Sequence, residues 1–143
     1  MSSDQLWTQV RSTRSVTINR PYAVVMEYLK DPVRYSQWAV EYFTSPVTKI
    51  DEDTYRMQTT MGPRRFRVEA DLERGAIDLY ITELDKPFSY PLPIRLLRNQ
   101  DGVDVLFTLA REDVLSDGDC VSSLEMLEKE LAVLKHLLEG DRQ

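Results

Sequence analysis

The chain has 143 residues, 42% of them hydrophobic and 29% charged, with a net charge of −6. That length suits a single domain spanning residues 1–143, long enough to bury a sizeable core, and the balance excludes wholesale disorder. The acidic excess argues against general affinity for nucleic acid or an anionic membrane, both of which reward Lys and Arg.

In chain order, Ser15–Asn19 alternates Val16 and Ile18 against polar neighbours, the period of a half-buried strand that extends back through Val10. Pro21 fits the first turn of a helix, and Val24, Val25, Tyr28 and Leu29 follow at helical spacing. Asp31-Pro32 restarts the pattern as an Asp cap with Pro at the first helical position; Val33, Tyr35 and Trp38 carry a second short helix ending near Val40. From Thr44 to Val114 the texture is β. Ser45–Ile50 is a candidate strand, Asp51-Glu52-Asp53 its turn, and Thr54–Thr60 the next strand. After Met61-Gly62-Pro63, the run Phe66, Val68, Ala70, Leu72 alternates with Arg65, Arg67, Glu69 and Asp71. Glu73-Arg74-Gly75 turns into Ile77, Leu79 and Ile81. Pro87, Pro91 and Pro93 make 85–93 a loop or edge segment leading to Ile94–Leu97. Asn99-Gln100-Asp101-Gly102 signals a hairpin, followed by the alternating Val103, Val105, Phe107 and Leu109.

Ser116-Asp117-Gly118-Asp119 reads as a break, and a helix spans roughly Val121 to Leu138. Ser122 with Glu125 has the form of a capping box, with Asp119 a competing cap. Leu124, Leu127, Leu131, Leu134 and Leu138 form one apolar stripe, widened on a flank by Met126, Val133 and Leu137. Glu125, Glu128, Lys129 and His136 take the opposite face. Hairpins follow one another with no helix long enough to cross between parallel strands. The fold class is therefore α+β, a curved antiparallel sheet covered by the C-terminal helix.

The segment SVTINRPYAVVMEYLKDPVRYSQW, Ser15 to Trp38, followed by the strand run and the long last helix, resembles the SRPBCC superfamily, also described as START-like or polyketide cyclase/dehydrase-like. The resemblance covers nearly the whole chain in element order and the first third in recognisable residues. It implies a helix-grip fold, β-α-α-β(6)-α, with a cavity between the sheet and the last helix. Members bind lipids, sterols or plant hormones, cyclise polyketides, carry quinones or assist chaperones. No catalytic pattern belongs to the superfamily as a whole, so no catalytic residue is carried over.

Trp38, Tyr42, Tyr55, Met57, Phe66, Phe107, Met126, Leu134 and Leu137 fall on faces expected to look inward. They are the candidate ligand-binding residues for a hydrophobic small molecule, and equally the inventory of an ordinary core. Inward polar candidates for proton transfer are few, Tyr55 and Thr59 at best. Binding or carriage is thus favoured over a cyclase, aromatase or dehydratase-like enzyme. A third reading is a protein-interaction module using the loop Asp85–Pro93. The single histidine, His136, is expected in solvent, which speaks against metal binding and histidine-dependent catalysis, and no cofactor is expected. Arg64, Arg65 and Arg67 form a basic cluster, read as a solvated face or an anion site, and Arg95 is a candidate for a pocket mouth. Cys120, the only cysteine, permits no intrachain disulfide and suits a reducing cytoplasm; at a helix start it is read as inert. No signal peptide or apolar run of membrane-spanning length is seen. Nothing in the pattern specifies an oligomeric state.

Overall fold

The computed structural model describes residues 11–110 and 117–140, with side-chain detail for 11–109 and 124–140. Strand β1, Arg11–Ile18, ends where Pro21 opens helix α1, Tyr22–Leu29. Pro21 has no N–H to lose, and its carbonyl accepts from the Val24 and Val25 amides at 3.0 and 3.2 Å. The Asp31 carboxylate then accepts from Val33 N at 3.1 Å, capping a 3-10 turn, Pro32–Arg34, that runs into the one-turn helix α2, Tyr35–Trp38. Six strands follow: β2 Thr48–Lys49, β3 Tyr55–Thr59, β4 Gly62–Asp71, β5 Ala76–Glu83, β6 Leu92–Asn99 and β7 Gly102–Ala110. The last element is helix α3, Asp117–Glu139.

Every strand pairing is antiparallel, in the order β1-β7-β6-β5-β4-β3-β2. The expected β-α-α-β(6)-α order is therefore present. Alternation sends Ile18, Met57, Phe66, Ile77, Leu79, Ile94, Leu96, Val103, Val105 and Phe107 to one buried face. Helices α1, α2 and α3 pack on that concave side.

Several boundaries differ from the sequence reading for identifiable reasons. The expected strand Ser45–Ile50 shrinks to two residues. Phe43 bridges Thr59 and Thr44 N donates to Gln58 O at 2.9 Å, but Pro46 has no N–H to continue the ladder. The Ser45 hydroxyl accepts from Gln58 N at 2.9 Å instead, and regular pairing resumes only at Thr48. Strand β6 starts at Leu92 rather than Ile94, with Pro93 inside it. Its pairing with β7 begins only at Ile94, so Pro93 sits where the strand has a single neighbour, β5. Pro63 is tolerated in β4 likewise, since pairing with β5 begins at Arg64. Helix α3 begins at Asp117, within the expected break, so Asp119 and Ser122 lie inside the helix instead of capping it. The extension of β1 through Val10 and the side chain of Cys120 lie outside the described residues.

Helix α3 runs antiparallel to β1, and the contacts fix the alignment. Asn19 N donates to Glu139 Oε2 at 2.6 Å, Lys135 Nζ to Thr17 O at 2.6 Å, and Arg14 Nε to Glu128 Oε2 at 2.7 Å. The C-terminal turns of α3 thus lie beside α1 and the β6–β7 hairpin. Its N-terminal turns overhang the other end of the sheet, where β7 finishes and β6 begins.

Candidate functional site

The concave face is sealed at one end and half-open at the other. Near α1, Ile77, Ile94, Leu96, Val103 and Val105 are buried under α1 and the lower half of α3, where Leu131, Leu134 and Leu138 point inward. Moving toward the overhanging end, the outermost apolar inner-face residue of three adjacent strands is only half-buried: Ile81 on β5, Leu92 on β6 and Leu109 on β7. Leu124 and Met126 in the N-terminal half of α3 are half-buried as well. These incompletely covered apolar side chains lie toward the N-terminal half of α3.

The core beside them is aromatic. Trp38 meets Phe107 edge-on with ring centroids 5.3 Å apart and Tyr35 at 5.4 Å. Tyr35 also touches Phe43 at 6.4 Å and Phe66 at 5.8 Å, and Tyr55 lies 6.0 Å from Phe66. These rings arrive from α2, the segment after it, β3, β4 and β7, and edge-to-face arrangements of this kind suit aromatic quadrupoles. The Tyr35 hydroxyl donates to Leu29 O at 2.7 Å, and burial pushes its phenol pKa well up. The Trp38 indole Nε1 is buried without a hydrogen-bond partner.

Of the residues expected to face inward, Trp38, Met57, Phe66, Phe107 and Leu134 are buried in one cluster, and Tyr42 and Tyr55 pack half-buried against it. Met126 is half-buried. Leu137 is different: it is 42% exposed, not inward-facing. Leu134 and Leu138 already occupy the sheet-facing line of α3, and Leu137 lies about 100° around the helix from Leu138. His136 is exposed, as are Glu125, Glu128 and Lys129. Among the described residues, no group of three His, Cys, Asp or Glu side chains is placed to hold a metal ion.

One site residue escaped the sequence reading. Glu130 is only 7% exposed, and its Oε2 accepts from the backbone N–H groups of Glu41 and Tyr42, both at 3.0 Å. Burial raises its carboxyl from the ordinary 4.5 to about 7, against the opposing pull of those two donors and with the Glu41 charge adding to the rise. The signal was present, since Leu127, Glu130, Leu131 and Leu134 have the spacing i, i+3, i+4, i+7 of a single buried face. A charge inside that pattern marks a carboxylate with a built partner.

The basic cluster divides. Arg64 shares the concave side with Met57, while Arg65 and Arg67 emerge on the convex side with Tyr80. There the β5–β6 loop folds over them. Phe88 lies 4.5 Å from the Arg65 guanidinium and 5.1 Å from that of Arg67, Tyr80 is 4.8 Å from Arg67, and Arg65 donates to Lys86 O. Arg67 also pairs with Glu69 at 3.1 Å. Arg95 pairs with Asp78 at 3.1 Å. A separate solvent-open groove of about 480 Å³, lined by polar residues such as Asn19, Arg20, Asn99 and Asp101, lies beside the β6–β7 hairpin.

This frame matches solved structures. The chain superposes on a START superfamily protein from Mycobacterium smegmatis with a TM-score of 0.64 at 12% identity, covering 91% of this chain and 97% of that one. The fold is the START-like helix-grip fold. The Zhui aromatase/cyclase from Streptomyces sp. R1128 matches at TM-score 0.61 and 17% identity, covering 94% and 93% of the two chains. The START-like frame also fits Aha1 from Colwellia psychrerythraea, solved as a dimer, at 0.68 and 14%, covering 94% and 99%. No family model and no curated protein matches the sequence. No helix among the described residues is long and apolar enough to cross a membrane.

Proposed function

We propose that this chain binds or carries a hydrophobic small molecule, of lipid, polyketide or aromatic type, in a crevice between α3 and the sheet, acting in the cytoplasm. The observation that carries this reading is the burial gradient. Ile81, Leu92 and Leu109 are large apolar side chains on the core face of adjacent central strands, yet none of the three is fully buried. Apolar surface left uncovered beside a packed core favours an apolar occupant, at roughly 25 cal/mol for each Å² removed from water. The Zhui aromatase/cyclase and the START superfamily protein lend the same reading support through shared architecture.

The direct test is titration with the neutral fluorophore N-phenyl-1-naphthylamine. Saturable binding near one equivalent with blue-shifted emission is expected, and Leu92→Trp and Leu109→Trp, which fill the crevice from neighbouring strands, should each weaken it at least tenfold. Absence of saturable binding, or binding indifferent to both substitutions in folded protein, rejects the reading.

A second reading, a polyketide cyclase, aromatase or dehydratase-like enzyme, is favoured by Glu130. A buried carboxyl titrating near neutrality has the proton affinity that acid–base catalysis at that pH uses.

A further inference from the structure

We infer that Trp38 is the polar recognition group of the crevice, and that the occupant is an apolar molecule presenting a neutral oxygen acceptor, a carbonyl or ether oxygen, at its inner end. The inference rests on the small-molecule reading above and deepens it.

Trp38 is 1% exposed, and its Nε1–H has no hydrogen-bond partner. Buried donors in folded proteins are almost always satisfied, and an indole brings only a donor, so its missing partner must be an acceptor. Nearby side chains do not fill the role. The Tyr35 hydroxyl, on the ring 5.4 Å away, is committed to Leu29 O, and Phe107 on the other side has no oxygen.

Position agrees with chemistry. Phe107 is the last fully covered inner-face residue of β7, and the next inner position is the half-buried Leu109. Trp38, edge-on to Phe107, therefore packs one inner-face step from Leu109. An occupant that displaces the partly covered side chains above Phe107 would reach this donor, and a single buried donor fixes the orientation of what meets it.

Charge narrows the class. One ionisable group set against this part of the chain is Glu130, bonded to the amides of Glu41 and Tyr42 just after α2. Where ionised, that carboxyl opposes a carboxylate or phosphate in the same buried space, where Coulomb repulsion is poorly screened, and where protonated it offers an anion no compensating positive charge. A neutral oxygen meets no such opposition.

Two probes of matched shape separate this from simple greasiness: 2-acetylnaphthalene, which carries a ketone, and 2-isopropylnaphthalene, which does not. The full-length chain, uniformly ¹⁵N-labelled, is titrated with each while the indole N–H signals are followed; Trp38→Phe assigns the Trp38 resonance against that of Trp7. The ketone should bind about tenfold tighter, the scale of one hydrogen bond that relieves a buried donor. It should move the Trp38 indole proton downfield, whereas the hydrocarbon should not. In Trp38→Phe the preference should fall below twofold. Equal binding of the two probes to the native chain, or a ketone preference that survives in Trp38→Phe, overturns the role of Trp38 and leaves the crevice standing. Binding of neither probe overturns the crevice and this inference with it. The indole shift is read on the unaltered chain, so the result does not depend on the variant folding.

Discussion

Glu130 occupies a helix face otherwise given to leucine, and it stays there because two backbone donors meet it. Its raised pKa has a definite sign. The folded state holds the proton more tightly than the unfolded chain, so this contribution to stability is fully present below 4.5 and lost as pH rises through about 7. The shift of roughly 2.5 units corresponds to about 3 kcal/mol at most. Glu130→Gln keeps an acceptor for both amides and removes the titration. Urea unfolding from pH 4.5 to 8 should show the native chain losing stability relative to Glu130→Gln by up to that amount, with the difference levelling above pH 8. A constant difference across the range would mean that Glu130 titrates alike in both states. Asp51, Asp71 and Asp104 do not confuse the window, because hydrogen bonds hold their carboxyls below the usual range.

At the scale of elements, α3 separates side chains that hold the fold from side chains that do not. Leu134 is 0% exposed and Leu137 is 42% exposed, three residues along one helix. Leu134→Ala should cost about 3 kcal/mol through lost transfer energy and a cavity, while Leu137→Ala should stay within about 0.5 kcal/mol. Chemical denaturation of the pair measures both, and comparable losses would place Leu137 in an interface not seen here. The leucine stripe was readable because buried helical faces repeat by three and four. Its expected flank was misjudged at Leu137 because hydrophobicity alone does not say how wide the covering surface is. Strands with clean alternation, β4 and β7, were legible for a similar reason. Strand β2 was not, because Pro46 and the Ser45 hydroxyl take over ladder positions one by one. The β6–β7 turn was recognised from its Asn, Asp and Gly, yet the strained position is Gln100, with φ of 55°. Gln100→Gly should therefore raise stability by up to about 1 kcal/mol, the cost of a left-handed residue with a Cβ, less glycine's greater unfolded-state entropy.

At the scale of the whole molecule, chain ends meet across the sheet. Strand β1 pairs with β7 from Arg11↔Ala110 to Ile18↔Val103, and α3 docks on β1 through Arg14, Thr17 and Asn19. The sequence reading recognised the alternating strand before Pro21 but named no partner for it, because alternation marks a strand's faces and not its neighbours. The incomplete cover of one end of the inner face was less legible. Periodicity assigns faces, whereas cover at Ile81, Leu92 and Leu109 depends on where α3 crosses, which is fixed by contacts more than 110 residues apart in the chain. Such distant closure also governs kinetics. The loop joining β1 to β7 must be closed before either strand gains from pairing, so folding should run on the millisecond-to-second scale of non-local β proteins. Ile18 is fully buried at the end of this pairing. Ile18→Ala should cost about 2–5 kcal/mol. Because β1 is an edge strand that gains its partner only after that loop closes, most of the loss should fall on the unfolding rate, with the folding rate changed little. Stopped-flow chevrons of the native chain and Ile18→Ala check this. A loss carried mainly by the folding limb would place β1–β7 pairing in the transition state and reverse that order of assembly.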